Sequence, residues 1–360
     1  MYARVAIASN ALPTPGLPAA VANALHQAAV EGLHAHGRLV FGSNGDAVEL
    51  IKAVQSGPGL PPDARRRWSE MLIHLAKIKR ITISRPDTVP VASINALADL
   101  RQHWGGHADV AVVAAEACEP LGVPVDEWLL TDTGQRPDVA TTATVPQCSA
   151  IKRLRGLADH ATAPRGSSRD QFWRDVLEPL ATGAQQATVV DRYLFKALWD
   201  LTTGKHWTTG WRGEHLGWLL RRLDAVMGAS AEVRLIGAAS RDHPTMTAER
   251  TADALRTLWA PESAGRLARV TITLAAPGRP ASFPHDRHIR FSTGGAVLLA
   301  AGFDRLRAAV ITDEDGMNWQ YRWSRAALQE LTSTERRAAA LPGAGAVVLE
   351  RPAASVERTA

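Results

Sequence analysis

The chain has 360 residues, with 41 Lys+Arg against 36 Asp+Glu and a formal net charge of +5. At that length, with 46% apolar residues, it predicts two folded domains, or one domain with elaborate insertions, and argues against a disordered or fibrous protein. The modest positive charge permits contact with nucleic acid or an anionic surface without demanding it.

Two cysteines, Cys118 and Cys148, have no His or Cys at zinc-site spacing, so a structural metal is not expected and a reduced cytoplasm is the expected compartment. The opening residues are too short and polar-interrupted for a signal peptide, and no apolar run approaches membrane-helix length. Basic clusters at Arg65-Arg66-Arg67, Lys77 to Arg80, Lys152 to Arg155 and Arg221-Arg222 read as solvated helix faces. Trp199, Trp207, Trp211 and Trp218 crowd together, as core or interface anchors.

In chain order, Arg4 to Ala8 predicts a strand and Leu17 to His36 a helix ended by Gly37. Arg38 to Gly42 predicts a strand. Asn44-Gly45-Asp46 opens a helix bearing Val48, Leu50, Ile51 and Val54, and Pro61 to Lys79 another with Trp68, Met71, Leu72, Leu75 and Ile78 on its stripe. Ile81 to Ser84 (strand), Ser93 to His103 (helix), Ala108 to Leu121 (Ala-rich helix) and Val125 to Thr131 (strand) follow. Strands alternating with helices predict a three-layer α/β domain over 1–135 with a mainly parallel sheet. The Thr-, Pro-, Gly- and Ser-rich stretch 136–168 reads as a connection, with a short helix near Lys152 to Leu157.

A second α/β domain is expected over 169–350, with a disordered tail over 351–360. Helices are predicted at Arg169 to Leu180, His215 to Met227, Thr247 to Trp259 and Arg325 to Ala340. Strands are predicted at Ala187 to Asp191, Glu232 to Ile236, Val270 to Leu274, Ala296 to Ala300, Ala309 to Thr312 and Ala346 to Leu349. Asp191-Arg192-Tyr193 lies at the end of a strand, where α/β folds place binding groups.

The stretch with most chemistry is Pro284-His285-Asp286-Arg287-His288-Ile289-Arg290-Phe291-Ser292. As a strand, period two puts His285, Arg287, Ile289 and Phe291 on one face and Asp286, His288 and Arg290 on the other. A His beside a fixed cation suits phosphodiester chemistry, whose transition state gains anionic charge. An exposed edge strand carrying solvated charges is the competing reading.

Three features give the second half its resemblance to the phospholipase D-like fold, in the branch of the MIT C-terminal domains. They are the Phe172-Trp173 to Leu180 helix leading into Val189-Val190-Asp191-Arg192-Tyr193, Pro284-His285-Asp286-Arg287, and Gly302-Phe303-Asp304 at a Gly-rich turn. The resemblance spans roughly 165–335. It implies that His285 takes the place of the family's nucleophilic His, with Arg287 standing for Lys, Ser292 for an Asp and Asp304 near an Asn. His285, Arg287, Asp191 and Asp304 are then the candidate catalytic residues, and Arg290, Arg192, Arg305 and Ser292 the phosphate-binding ones. This chemistry requires no cofactor, and with a single motif a catalytic role implies a homodimer or an unconventional site. The related MIT C-terminal domains instead bind acidic lipid through this face.

The first half resembles PIN-like domains more faintly, with Asn10, Glu49, Asp109 and Asp132 at the positions of acidic residues that hold Mg or Mn in that family. Together the resemblances imply a phosphodiester-binding and nuclease-like protein of a prokaryotic defence system, acting with partner proteins. The alternative is a non-catalytic module binding nucleic acid, anionic lipid or a partner. A third reading is a scaffold using the Trp199 to Trp218 segment as its contact surface.

Overall fold

The computed structural model describes residues 2–83, 88–121, 137–157, 161–203, 215–240, 242–259, 265–275, 283–285, 287–341 and 344–351. The chain divides into two compact α/β units, Tyr2–Gly156 and Leu157 onward, each with its own sheet.

The first unit carries five parallel strands: β1 (Ala3–Ile7), β2 (Gly37–Phe41), β3 (Ile81–Ile83), β4 (Val110–Val112) and β5 (Asp138–Ala140). Their order is β3-β2-β1-β4-β5. Helix Ala19–His36 packs against helix Pro62–Lys77, whose apolar stripe buries Trp68, Met71 and Leu75. Ser43 caps helix Asn44–Ser56: its hydroxyl accepts from the Asp46 N–H, and the Asp46 carboxylate accepts from the Ser43 N–H.

Two expectations fail here. The predicted helix Ala108 to Leu121 is instead strand β4 followed by a single 3-10 turn, Ala115–Ala117. β4 lies between β1 and β5 with Val110, Ala111 and Val112 all fully buried, so both faces are apolar and no period-two signal survives. The stretch expected as a connection is also folded. It carries β5 and helix Ser149–Gly156 of the first unit, then the first strand of the second. Of the basic clusters, Arg80 is no solvated charge: it is buried, donates to the carbonyls of His34 and Gly37, and lies 3.9 Å from the centre of the Tyr2 ring. The predicted strand Val125 to Thr131 lies outside the described residues.

The second unit has eight strands: β6 (Ala161–Ala163), β7 (Gln186–Val190), β8 (Ala231–Ala238), β9 (Leu267–Ala275), β10 (His288–Phe291), β11 (Gly295–Leu299), β12 (Met317–Arg322) and β13 (Gly345–Glu350). Their order is β13-β9-β8-β7-β10-β11-β12-β6. β7, β8 and β9 are parallel, and every other pairing is antiparallel. β10 is thus where the parallel half meets the antiparallel half. β10 and β11 form a hairpin closed at Gly294, whose φ of +88° needs glycine.

Val190, Ile236, Ala275 and Phe283 form a buried cluster with Ala338 of helix Arg325–Ala339. On the helix spanning 169–181, Phe172 meets Trp319 edge-on at 5.8 Å, and Trp173 meets Trp218 at 6.0 Å. Trp199 and Trp218 are buried, so they serve the core and not a contact surface; Trp207 and Trp211 lie outside the described residues. Ala309 to Thr312 is not a strand but makes one isolated bridge, Ser168 with Val310. β12, absent from the predicted elements, alternates buried Met317, Trp319 and Tyr321 with half-buried neighbours. No described helix is long and apolar enough to cross a membrane.

Candidate functional site

The C-terminal end of β7 is where separate parts of the second unit converge. Asp191 follows β7 directly and is buried. Its Oδ1 accepts the Tyr193 N–H at 2.8 Å, and its Oδ2 accepts the Phe303 N–H at 2.9 Å. Arg287 enters from the start of β10, with Nε 3.8 Å from Asp191 Oδ1 and Nη1 donating to the Ala300 carbonyl at 3.4 Å. Burial pushes the Asp191 carboxyl up from its ordinary range and the Asp304 charge adds to that; the two backbone donors and Arg287 oppose it.

The floor of this joint is Gly302. Its φ is +94°, and a Cβ there would sit 2.6 Å from Asp191 Oδ2, 3.1 Å from Arg287 Cδ and 3.2 Å from Asp304 Oδ1. Only a residue without a side chain lets these three groups approach. Above the floor the edge is open. The Arg287 side chain is 24% exposed, Tyr193 is 47% exposed, and His285 is exposed.

His285 has no hydrogen-bond partner among the described residues. β10 begins at His288, so His285 and Arg287 precede the strand; the Arg287 carbonyl still accepts the Leu299 N–H at 2.8 Å and extends the pairing with β11. The predicted split of faces holds inside the strand. Ile289 and Phe291 are buried on one side, and His288 and Arg290 turn to the other.

Several candidates lie elsewhere. Arg290 donates through Nε and Nη2, each at 2.6 Å, to both carboxylate oxygens of Glu335, while fully buried His288 contacts Glu335 Oε1 at 3.2 Å. Burial alone would raise the Glu335 pKa, but its bonds to Arg290 and His288 win and hold it below the usual carboxylate range. Arg290 is therefore a half-buried cation engaged by Glu335, turned away from the Arg287 edge. Ser292 is at the opposite end of β10, where its hydroxyl accepts the N–H groups of Gln185 and Gln186. It cannot orient His285. Arg305 is paired with Asp313. Arg192 stays close, 5.4 Å from the centre of the Tyr193 ring. Sequence reasoning missed Glu335, although a Glu between Leu331 and Ala338 on the buried face of a helix is the signature of a paired carboxylate.

In the first unit, Asn10 lines a cavity of about 360 Å³ with Asn95 and Glu116, at the C-terminal ends of β1 and β4. Glu49 lines another of about 250 Å³ with Ser9, Gly42 and Asp46, and pairs with Lys52 at 2.9 Å. Both cavities lie at the sheet edge where α/β folds bind ligands. Asp109 does not join them. It precedes β4 at the opposite edge, where its carboxylate takes the Arg4 backbone N–H at 2.8 Å and the Arg4 guanidinium at 3.1 and 3.2 Å. Glu49 and Asp109 thus cannot share one divalent cation, and no cluster of three acidic, His or Cys ligands occurs among the described residues. Asp132 lies outside the described residues.

No protein-family profile matches this chain, and no curated protein matches it.

Proposed function

We propose that the second unit binds a phosphodiester at the C-terminal edge of β7, with Arg287 as the contact to phosphate and His285 beside it. The observation that carries this reading is the setting of Arg287: a guanidinium positioned by a buried carboxylate, yet open to solvent at the end of a parallel strand. A planar donor fork held in place loses little freedom when a phosphate arrives. The resemblance to the phospholipase D-like fold agrees with this placement, since His285, Arg287 and the Gly302 turn are the residues on which it rests.

Binding is favoured over cleavage because nothing among the described residues fixes the His285 ring or its tautomer, as a nucleophile requires. Cleavage is the second reading, favoured by the exposure of His285 two residues from Arg287. In that case His285 attacks phosphorus as the P–O bond to the leaving alcohol breaks, the His of a second copy of the chain protonates that alcohol, and water then displaces His285 to release the phosphate monoester.

The test is fluorescence anisotropy of a labelled oligonucleotide titrated with the full chain at two salt concentrations, with gel analysis of the same mixtures for cleavage. Arg287→Ala is expected to weaken binding and to reduce the salt slope by about 1, the loss of one phosphate contact. Unchanged affinity and slope would remove Arg287 from the site and the reading with it. Cleavage that His285→Ala abolishes would establish the second reading.

A further inference from the structure

Tyr193 is the only aromatic among the large apolar side chains exposed at the described surface; the others are aliphatic. It is also in the middle of the site. The Arg287 guanidinium lies 5.7 Å from its ring centre and that of Arg192 5.4 Å. Its backbone is fixed from both sides: the N–H is held by Asp191, and the carbonyl accepts the Lys196 N–H at 3.0 Å. The ring is therefore presented to solvent on a rigid support, with two guanidinium groups within 6 Å of its centre.

From this juxtaposition, and resting on the phosphodiester reading above, we infer that the ligand is a single-stranded nucleic acid, one base of which stacks on Tyr193 while Arg287 holds the adjoining phosphate. An exposed aromatic ring beside the Arg287 guanidinium offers two attractions, a π-face for the base and donors for its phosphate. A duplex keeps its bases stacked on one another and cannot offer one to the ring. A lipid headgroup has the phosphate but no π-face. Both bind more weakly than a single strand. Stacking of this kind tolerates any base, so recognition depends on strandedness and little on sequence.

The experiment compares four labelled probes with the full chain: a single strand, the same strand made abasic, its duplex, and vesicles containing phosphatidylserine. The single strand is expected to bind best, and Tyr193→Ala to weaken it about tenfold. The abasic strand should be insensitive to that substitution. Tyr193→Phe should restore single-strand binding, since the ring and not the hydroxyl makes the contact. The contact to Asp191 uses the backbone of residue 193, so both substitutions keep it; Tyr193→Ala also removes the ring beside Arg287, and the abasic strand separates that loss from the loss of stacking. If the probes bind with Arg287 dependence but Tyr193→Ala weakens intact and abasic strands alike, or neither, the stacking inference is overturned and the phosphodiester reading stands. Preference for vesicles or duplex overturns it too. Binding by none of the probes removes both.

Discussion

Glu335 offers the most direct test of how the second unit is held together. Replacing it by Leu leaves fully buried His288 and four-fifths buried Arg290 facing an apolar side chain. Removing one member of a buried ion pair costs about 3–5 kcal/mol, because the remaining charge is stranded. Arg290 keeps partial access to water, which places this case at the low end, about 3 kcal/mol. For a unit of this size each kcal/mol lowers the melting temperature by about 2–4 °C, so a drop of about 6–12 °C is expected. Urea unfolding followed by tryptophan fluorescence would measure it. Adding Arg290→Met to Glu335→Leu should recover at least about 1 kcal/mol, since the stranded charge is then gone. Oligonucleotide affinity of the folded protein should not change, because Arg290 and Arg287 serve different places. A loss below about 1 kcal/mol, or a loss of affinity in step with stability, would refute this account.

Gly302→Ala should cost about 2 kcal/mol or more, from a positive φ and from contact with Asp191 and Arg287, and should abolish oligonucleotide binding even where the protein remains folded. Binding that survives would show that the floor of the site is not rigid. Acidification should destabilise both units between about pH 6.5 and pH 4. Burial holds the pKa of His36 and His215 at about 4, so the unfolded chain takes up protons over that interval and the folded chain does not. His215→Leu should flatten this decline for the second unit, read as melting temperature against pH; an unaltered slope would exclude His215 as a contributor.

The order of most elements was legible in the sequence because periodicity and caps report on local packing. The Pro61 to Lys79 stripe and the strand at Ala187 to Asp191 are examples. β4 was not legible, because a central strand of three small apolar residues has no polar face to mark its period. β12 was legible in principle through Met317, Trp319 and Tyr321, but its polar partners sit beside a Gly- and Asp-rich turn that obscures the alternation. At the site, alternation separated His288 and Arg290 from Ile289 and Phe291 correctly. Their partner could not be read, because Glu335 lies 45 residues from Arg290 and local pattern carries no information over that distance. For the same reason Glu49 and Asp109 looked equivalent in sequence, whereas the parallel sheet sends them to opposite edges.

The Asp191 joint also constrains when the site can exist. Its hydrogen bond to Phe303 spans 112 residues of chain and requires β7, β10 and the Gly302 turn together. Contacts of such separation carry a large loop-closure entropy and form late in folding. A nascent chain emerging from the ribosome therefore lacks the assembled basic edge until residue 303 is free of the exit tunnel. While it is tethered beside ribosomal RNA, the growing protein has Arg287 in its sequence, if at all, but no site that presents it.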